Sequence, residues 1–220
     1  EINKIPYIAN ITGLGSALEN PGILQKITKI LYKAGLKKAN TVFLQNPYNL
    51  DFFEKNRITN APKVLLPGSG VNVDRFRVCE WPKEKTAFVF VSRVMREKGI
   101  EEYLACAEKI HAERPDVEFH ILGYCEEEYE ERLRDLEKKG IIRYHGNVLD
   151  VRPYLSEVKC LIHPSFYPEG MSNVCLEAAA SARAVITTDR PGCRETVMDG
   201  QTGFIVPVQD KDELISAVRK

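Results

Sequence analysis

From Thr86 onward, short apolar runs alternate with helix-period segments, and this alternation constrains the fold more than any other feature of the 220 residues. The runs predict strands over Thr86–Val91, Glu118–Leu122, Ile141–His145, Cys160–His163, Ala184–Thr188 and Gly203–Val206. Between them the periodicity predicts helices over about Gly99–Ala112, Glu126–Lys139, Val151–Glu157, Met171–Ala182 and Asp210–Lys220. Each run is apolar on both faces, as a parallel sheet covered by helices on each side requires. The expected class is therefore α/β with a doubly wound, Rossmann-like parallel sheet. Such sheets bind ligands beyond the carboxyl ends of their strands, so the loops there are where function is sought.

Upstream, strands are expected at Ile5–Thr12, Thr41–Leu44 and Lys63–Leu66, with a helix opened by Asn20-Pro21 and another near Tyr48–Lys55. The segment "PGSGVNVDRFRVCEWPKEK" is rich in turn formers and poor in periodicity, which marks a connection. Units are expected at 1–66 and 85–220, joined by a linker over 67–84. The chain opens on Glu1 rather than methionine, so the first unit is expected to lack earlier strands and to leave apolar surface on Ile5–Thr12 and the helix beside it. Gly13 and Gly15 lack the third glycine and immediate helix of a dinucleotide fingerprint, and read as a turn.

Basic and acidic residues balance at 31 each, which argues against nucleic acid as a partner. The distribution is uneven: residues 1–82 carry 11 basic and 6 acidic side chains. No run of about 18 apolar residues is present that could span a bilayer. The six cysteines lie 15 or more residues apart with no C-x-x-C pair, the pattern of reduced thiols in a cytoplasmic protein. The four histidines are equally scattered, and no metal site is expected.

The stretch "PSFYPEGMSNVCLEAAASARAVITTD" joins the expected fourth strand to the fifth. It places Glu169 in the loop at a helix N-terminus and Glu177 farther along that helix. Unpaired N–H groups over Gly170, Met171, Ser172 and Asn173, with the helix dipole, favour an anion such as phosphate. A diphosphate at the helix tip could then offer a sugar to Glu169 and a ribose to Glu177, since carboxylates accept hydrogen bonds from paired hydroxyls. In "FVFVSRVMREKGI", Arg93 and Lys98 follow the first long strand and supply cations for the same phosphates.

Together with the linker "PGSGVNVDRF", the segment "SRVMREKGI" and the run from "YHGNVLDVRPYL" to "VPVQDKDEL" resemble the retaining GT-B glycosyltransferases of family 4. The resemblance covers nearly all of residues 64–214. It implies a GT-B fold with a donor-binding domain at 85–220 and the closing part of an acceptor-binding domain at 1–66. It further implies that Arg93 and Lys98 hold the donor diphosphate, Glu169 contacts the sugar and Glu177 binds the ribose hydroxyls. The backbone of Gly170, Met171, Ser172 and Asn173 would complete the cradle, and Asn147 and Val148 would lie beside the base. The implied reaction moves a sugar from a nucleoside-diphosphate donor, expected to be UDP-linked, to a glycan or lipid-linked acceptor with retention, in capsule, lipopolysaccharide or other polysaccharide assembly. No separate cofactor is implied. The alternatives are a GT-B sugar-nucleotide epimerase and a donor-binding fragment inactive by itself, the state expected of these 220 residues alone. Where many relatives carry glycine and proline, this chain has Ala182 and Ala184.

In "NPGILQKITKILYKAGLKKAN", Lys26, Lys29, Lys33 and Lys37 recur at intervals of three and four, beside an apolar face of Ile23, Ile27, Ile30, Leu31 and Ala34. The reading is either a helix packed on the sheet with its lysines in water or a peripheral contact with the inner membrane face.

Overall fold

The computed structural model describes residues 5–220, which group into two compact units. One holds the chain up to Gly70 together with Tyr167–Asn173, and the other holds Val71–Phe166 and Val174–Lys220.

In the first unit the order is β1 (Ile8–Ile11), α1 (Ser16–Glu19), α2 (Ile23–Gly35), β2 (Thr41–Leu44), α3 (Pro47–Lys55) and β3 (Lys63–Leu65). The three strands form a parallel sheet in the order β1-β2-β3, with Ile8 opposite Thr41 and Val42 opposite Lys63. Val42 and Leu44 alternate with less buried neighbours along β2 and pack with Leu14, Leu18, Leu36, Phe53 and Ile58. Tyr32 meets the Phe53 ring edge-on at 5.8 Å. Gly13 and Gly15 lie in the irregular segment between β1 and α1, and, against the expectation, a helix follows Gly15 (φ 68°) at once, although it is only one turn long.

α2 departs from ordinary packing. None of its 13 residues is buried, and Ile23, Leu24, Ile27, Ile30 and Leu31 are each at least half exposed. Its apolar face therefore does not rest on the sheet. Lys37 lies beyond the helix end at Gly35, so Lys26, Lys29 and Lys33 are the lysines that share it, and Lys29 sits over the Phe52 ring at 5.3 Å. The apolar surface expected on Ile5–Thr12 is visible at Ile5 and Ile8, both exposed.

In the second unit follow β4 (Ala87–Val91), α4 (Ile100–Glu113), β5 (Glu118–Leu122), α5 (Glu130–Lys138), β6 (Arg143–Tyr144), α6 (Arg152–Glu157), β7 (Cys160–His163), α7 (Asn173–Ala180), β8 (Ala184–Thr188), β9 (Gly203–Val206) and α8 (Lys211–Val218). All six strands are parallel in the order β6-β5-β4-β7-β8-β9. The chain winds outward from β4 to one side, then returns to lay β7 on its other side. The β4/β7 boundary is thus the topological switch point, where doubly wound sheets open a ligand crevice.

Both faces are buried, as the apolar runs require. Phe88, Phe90 and Ile162 face a core with Ile100, Tyr103, Leu104 and Phe119, while Ala87, Val89 and Leu161 face one with Leu155, Cys175 and Val185. Tyr103 is fully buried and donates from its hydroxyl to the His120 carbonyl at 2.8 Å.

Several predicted elements shrink, among them Ile5–Thr12 to Ile8–Ile11 and Asp210–Lys220 to Lys211–Val218. The strand expected at Ile141–His145 keeps its ladder only at Arg143 and Tyr144, which pair with His120 and Ile121 of β5. α5 starts at Glu130 rather than Glu126, since the preceding glutamates are used elsewhere: Glu126 pairs with Arg93 and Glu127 accepts from the Arg96 N–H at 2.9 Å. α7 covers Asn173–Ala180 rather than Met171–Ala182. Its end is a Schellman arrangement in which the Ala182 N–H reaches the Ala179 carbonyl (3.0 Å) and the Arg183 N–H that of Ala178 (2.9 Å).

That end puts Ala182 at φ 57°, a left-handed conformation that costs a non-glycine residue about 1 kcal/mol. Ala182→Gly is expected to raise the thermal midpoint by roughly 2–4 °C, read by differential scanning calorimetry. The next residue anchors the approach to β4. Arg183 is buried and donates to the carbonyls of Val158 (3.0 Å), Cys79 (2.5 Å) and Glu80 (2.8 Å), with its guanidinium 5.5 Å from the Trp81 ring centre.

Candidate functional site

In the second unit Arg93 and Lys98 follow the carboxyl end of β4. Arg93 lies two residues beyond β4, is partly exposed and forms an ion pair with Glu126. Lys98 closes a 3-10 turn over Arg96–Lys98 and is 9% exposed, an unusual burial for a lysine. Gly99 then passes through φ 80° to begin α4. A side chain there would overlap the Pro164 carbonyl, so only glycine lets the Lys98 turn seat on the loop that leaves β7. The Phe166 N–H reaches the Glu97 carbonyl at 2.9 Å across the same contact. Sequence-distant ends of the two switch-point strands are thereby joined by backbone.

Asn147 and Val148 follow β6, where the Gly123 N–H donates to the Gly146 carbonyl at 2.8 Å. Asn147 is exposed, and Val148 packs against the second core face. Glu177 lies on α7, half-buried, and burial raises its pKa above the ordinary glutamate value while the positive charge of Arg75 opposes the shift. The helix places Glu177 four residues, or about 6 Å, beyond Asn173.

The segment Tyr167–Asn173 groups with the first unit, and there it lies across the carboxyl ends of all three strands. Beyond β1, a side chain on Gly13 would press on the Pro168 carbonyl at 3.2 Å and the Gly170 nitrogen at 3.3 Å. Beyond β2, Asn46 donates from Nδ2 to the carbonyls of Gly170 (2.6 Å) and Glu169 (3.1 Å). Beyond β3, Gly68 at φ 77° leaves room for Met171, whose Sδ would lie 2.6 Å from an added Cβ. Gly170 is buried against the Thr12 carbonyl and Gln45 Oε1, and Glu169 beside it is half-buried.

One sequence expectation changes here. Gly170, Met171 and Ser172 precede α7, so the unpaired amides of its first turn begin at Asn173. Gly170 makes a close backbone approach to the Thr12 carbonyl. Sequence reasoning missed Gln45 and Asn46, although "QNPYN" carries a signal: Asn before Pro is a helix cap, and Asn46 Oδ1 accepts from the Asn49 N–H at 2.8 Å.

Residues 85–220 match a family model described as glycosyl transferases group 1. The N,N'-diacetylbacillosaminyl-diphospho-undecaprenol alpha-1,3-N-acetylgalactosaminyltransferase of Campylobacter jejuni is 23% identical over 96% of this chain and 60% of its own length. The phosphatidyl-myo-inositol mannosyltransferase of Mycolicibacterium smegmatis is 33% identical over 63% of this chain and 36% of its own. Among solved structures, Anabaena HepE in complex with UDP-glucose superposes with a TM-score of 0.78 at 17% identity, covering 99% of this chain and 63% of that one. The chain thus spans 60% or less of the length of these two curated relatives, and the structural likeness, together with the parallel sheets, identifies the fold class as GT-B type.

Proposed function

Because the chain belongs to the glycosyl transferases group 1 family, we propose that it serves a retaining, family 4 transfer of a sugar from a nucleoside diphosphate to a cell-surface glycan or lipid-linked acceptor. The observation that carries this reading is the switch point, where a buried lysine sits on a glycine-seated turn between the ends of β4 and β7. Lys98 and Arg93 would neutralise the negative charge that builds on the departing diphosphate, the place where fixed positive groups lower a barrier most. Glu177 would accept hydrogen bonds from the ribose hydroxyls and Glu169 from the sugar, with backbone of Gly170, Met171, Ser172 and Asn173 around the donor and Asn147 and Val148 beside the base. A UDP-linked donor is supported by the UDP-glucose complex of the HepE neighbour, and a lipid-linked acceptor by the names of both relatives. The test is a product assay in the full-length protein: nucleotide release and sugar transfer that depend on an added acceptor. A new sugar nucleotide formed without acceptor would indicate epimerisation and overturn the reading.

Donor affinity should depend on pH through Glu177. Its raised pKa means that it takes up a proton at higher pH than an ordinary glutamate, and a protonated carboxyl loses acceptor capacity toward a diol. The sign for folding is opposite: the neutral form suits the buried site, so this contribution to stability is present below the unfolded pKa and declines as pH rises through the folded one. Calorimetric titration of UDP from pH 7 to 5 is expected to show weakening affinity, and Glu177→Gln is expected to flatten that dependence.

The uncovered face of α2 supports a peripheral membrane contact on the cytoplasmic side. Its exposed isoleucines and leucines lie beside Lys26, Lys29 and Lys33, with Lys37 following the helix. Lysines near an anionic surface contribute about 1 kcal/mol each, so replacing all four by glutamine should lower vesicle partitioning by roughly three orders of magnitude. Co-sedimentation with phosphatidylglycerol vesicles that neither falls with salt nor responds to the substitutions would contradict this.

A further inference from the structure

We propose that Asn46 is a positioning residue that fixes the Glu169–Gly170 backbone and so sets where the Glu169 carboxylate stands; its consequence for turnover rests on the donor reading above. Asn46 is fully buried at the end of β2, in a part of the chain to which the sequence assigned no role in the site. All of its amide chemistry is committed. The Nδ2 group donates to the carbonyls of Gly170 at 2.6 Å and Glu169 at 3.1 Å, and Oδ1 accepts from the Asn49 N–H at 2.8 Å. One side chain therefore caps α3 and ties the loop before α7 to that cap.

The surroundings turn the tie into a register. Gly170 has no room for a side chain against the Thr12 carbonyl and Gln45 Oε1, and Gln45 is itself buried and held through Nε2 to the Ser69 hydroxyl at 2.9 Å. The loop thus has a floor from β1 and β2, and Asn46 is the donor that holds it down. Two neighbouring carbonyls gripped by one amide restrain the peptide planes on both sides of Gly170. The Glu169 side chain leaves the backbone next to this grip, so its origin is fixed.

Cap and clamp separate by substitution. Asn46→Ser keeps an oxygen that can cap α3 but removes the Nδ2 group that reaches both carbonyls and leaves only a shorter hydroxyl, whereas Asn46→Ala removes all three interactions. In the full-length protein, amide hydrogen exchange over residues 167–172 without ligand is expected to speed up in both variants, with Asn46→Ser melting closer to wild type than Asn46→Ala. Turnover should fall by about 10- to 100-fold in both, the scale of a misplaced reacting group. Affinity for UDP should fall less than affinity for UDP-glucose and UDP-N-acetylgalactosamine, which lose any advantage over UDP, because UDP carries no sugar for Glu169 to meet.

Unchanged exchange in Asn46→Ser overturns the clamp. Faster exchange with wild-type turnover overturns the positioning role, as does an equal loss of UDP and sugar-nucleotide affinity, which would mean general destabilisation. Wild-type protein that binds none of the three nucleotides would remove the donor reading, and hydrogen exchange would still decide the clamp.

Discussion

Gly170→Ala is expected to reduce sugar turnover by about 100-fold or more while leaving UDP binding detectable. The added methyl would overlap the Thr12 carbonyl oxygen and lie 2.6 Å from Gln45 Oε1. The first is backbone at the end of β1, and the second belongs to a buried, hydrogen-bonded side chain, so neither yields without moving its neighbours. Overpacking of this kind costs about 1–3 kcal/mol, but its larger effect is displacement. A shift near 1 Å at a reacting group costs on the order of 100-fold in rate. The φ of Gly170 lies outside the left-handed range, so contact rather than backbone strain is the cause. Thermal denaturation together with acceptor-dependent turnover checks this, and an alanine variant with full turnover would contradict the placement of Glu169.

The second large effect is expected from Lys98→Ala. A hydrogen bond to a charged group contributes about 1.5–3 kcal/mol, so loss of this buried ammonium should weaken UDP binding by roughly 10- to 150-fold. Arg93→Ala should cost less, because Arg93 is more exposed to solvent than Lys98. Equal losses from the two substitutions would mean that burial does not rank these cations.

Where an apolar run is bounded by turn formers or polar residues, the strand was legible in the sequence. β2, β5, β7, β8 and β9 begin and end where their apolar runs do. The run around β6 reports burial, at Ile142 and Tyr144, rather than pairing, since the ladder covers only Arg143 and Tyr144. Both strands of the switch point were readable, and with them the region of Arg93 and Lys98. The Gly99–Pro164 approach was not, because a left-handed glycine announces a turn without naming what lies across it. The start of α7 differs for a related reason: Gly170, Met171 and Ser172 fit a helical pattern, but Gly170 is drawn onto Thr12 and Asn46 and Met171 onto Gly68, more than a hundred residues earlier. Asn46 announced its cap through the following proline and kept its second role hidden, since hydrogen bonds to distant carbonyls leave no local period.

The central claim is that the glycine-seated turn at Lys98 and the helix carrying Glu177 bind a nucleoside diphosphate. Calorimetric titration of UDP, GDP and ADP tests it most directly. At least one should bind more tightly than about 1 mM, equivalent to roughly −4 kcal/mol, and Glu177→Gln and Lys98→Ala should each weaken it. No saturable heat from any of the three, or binding indifferent to both substitutions, would contradict the account.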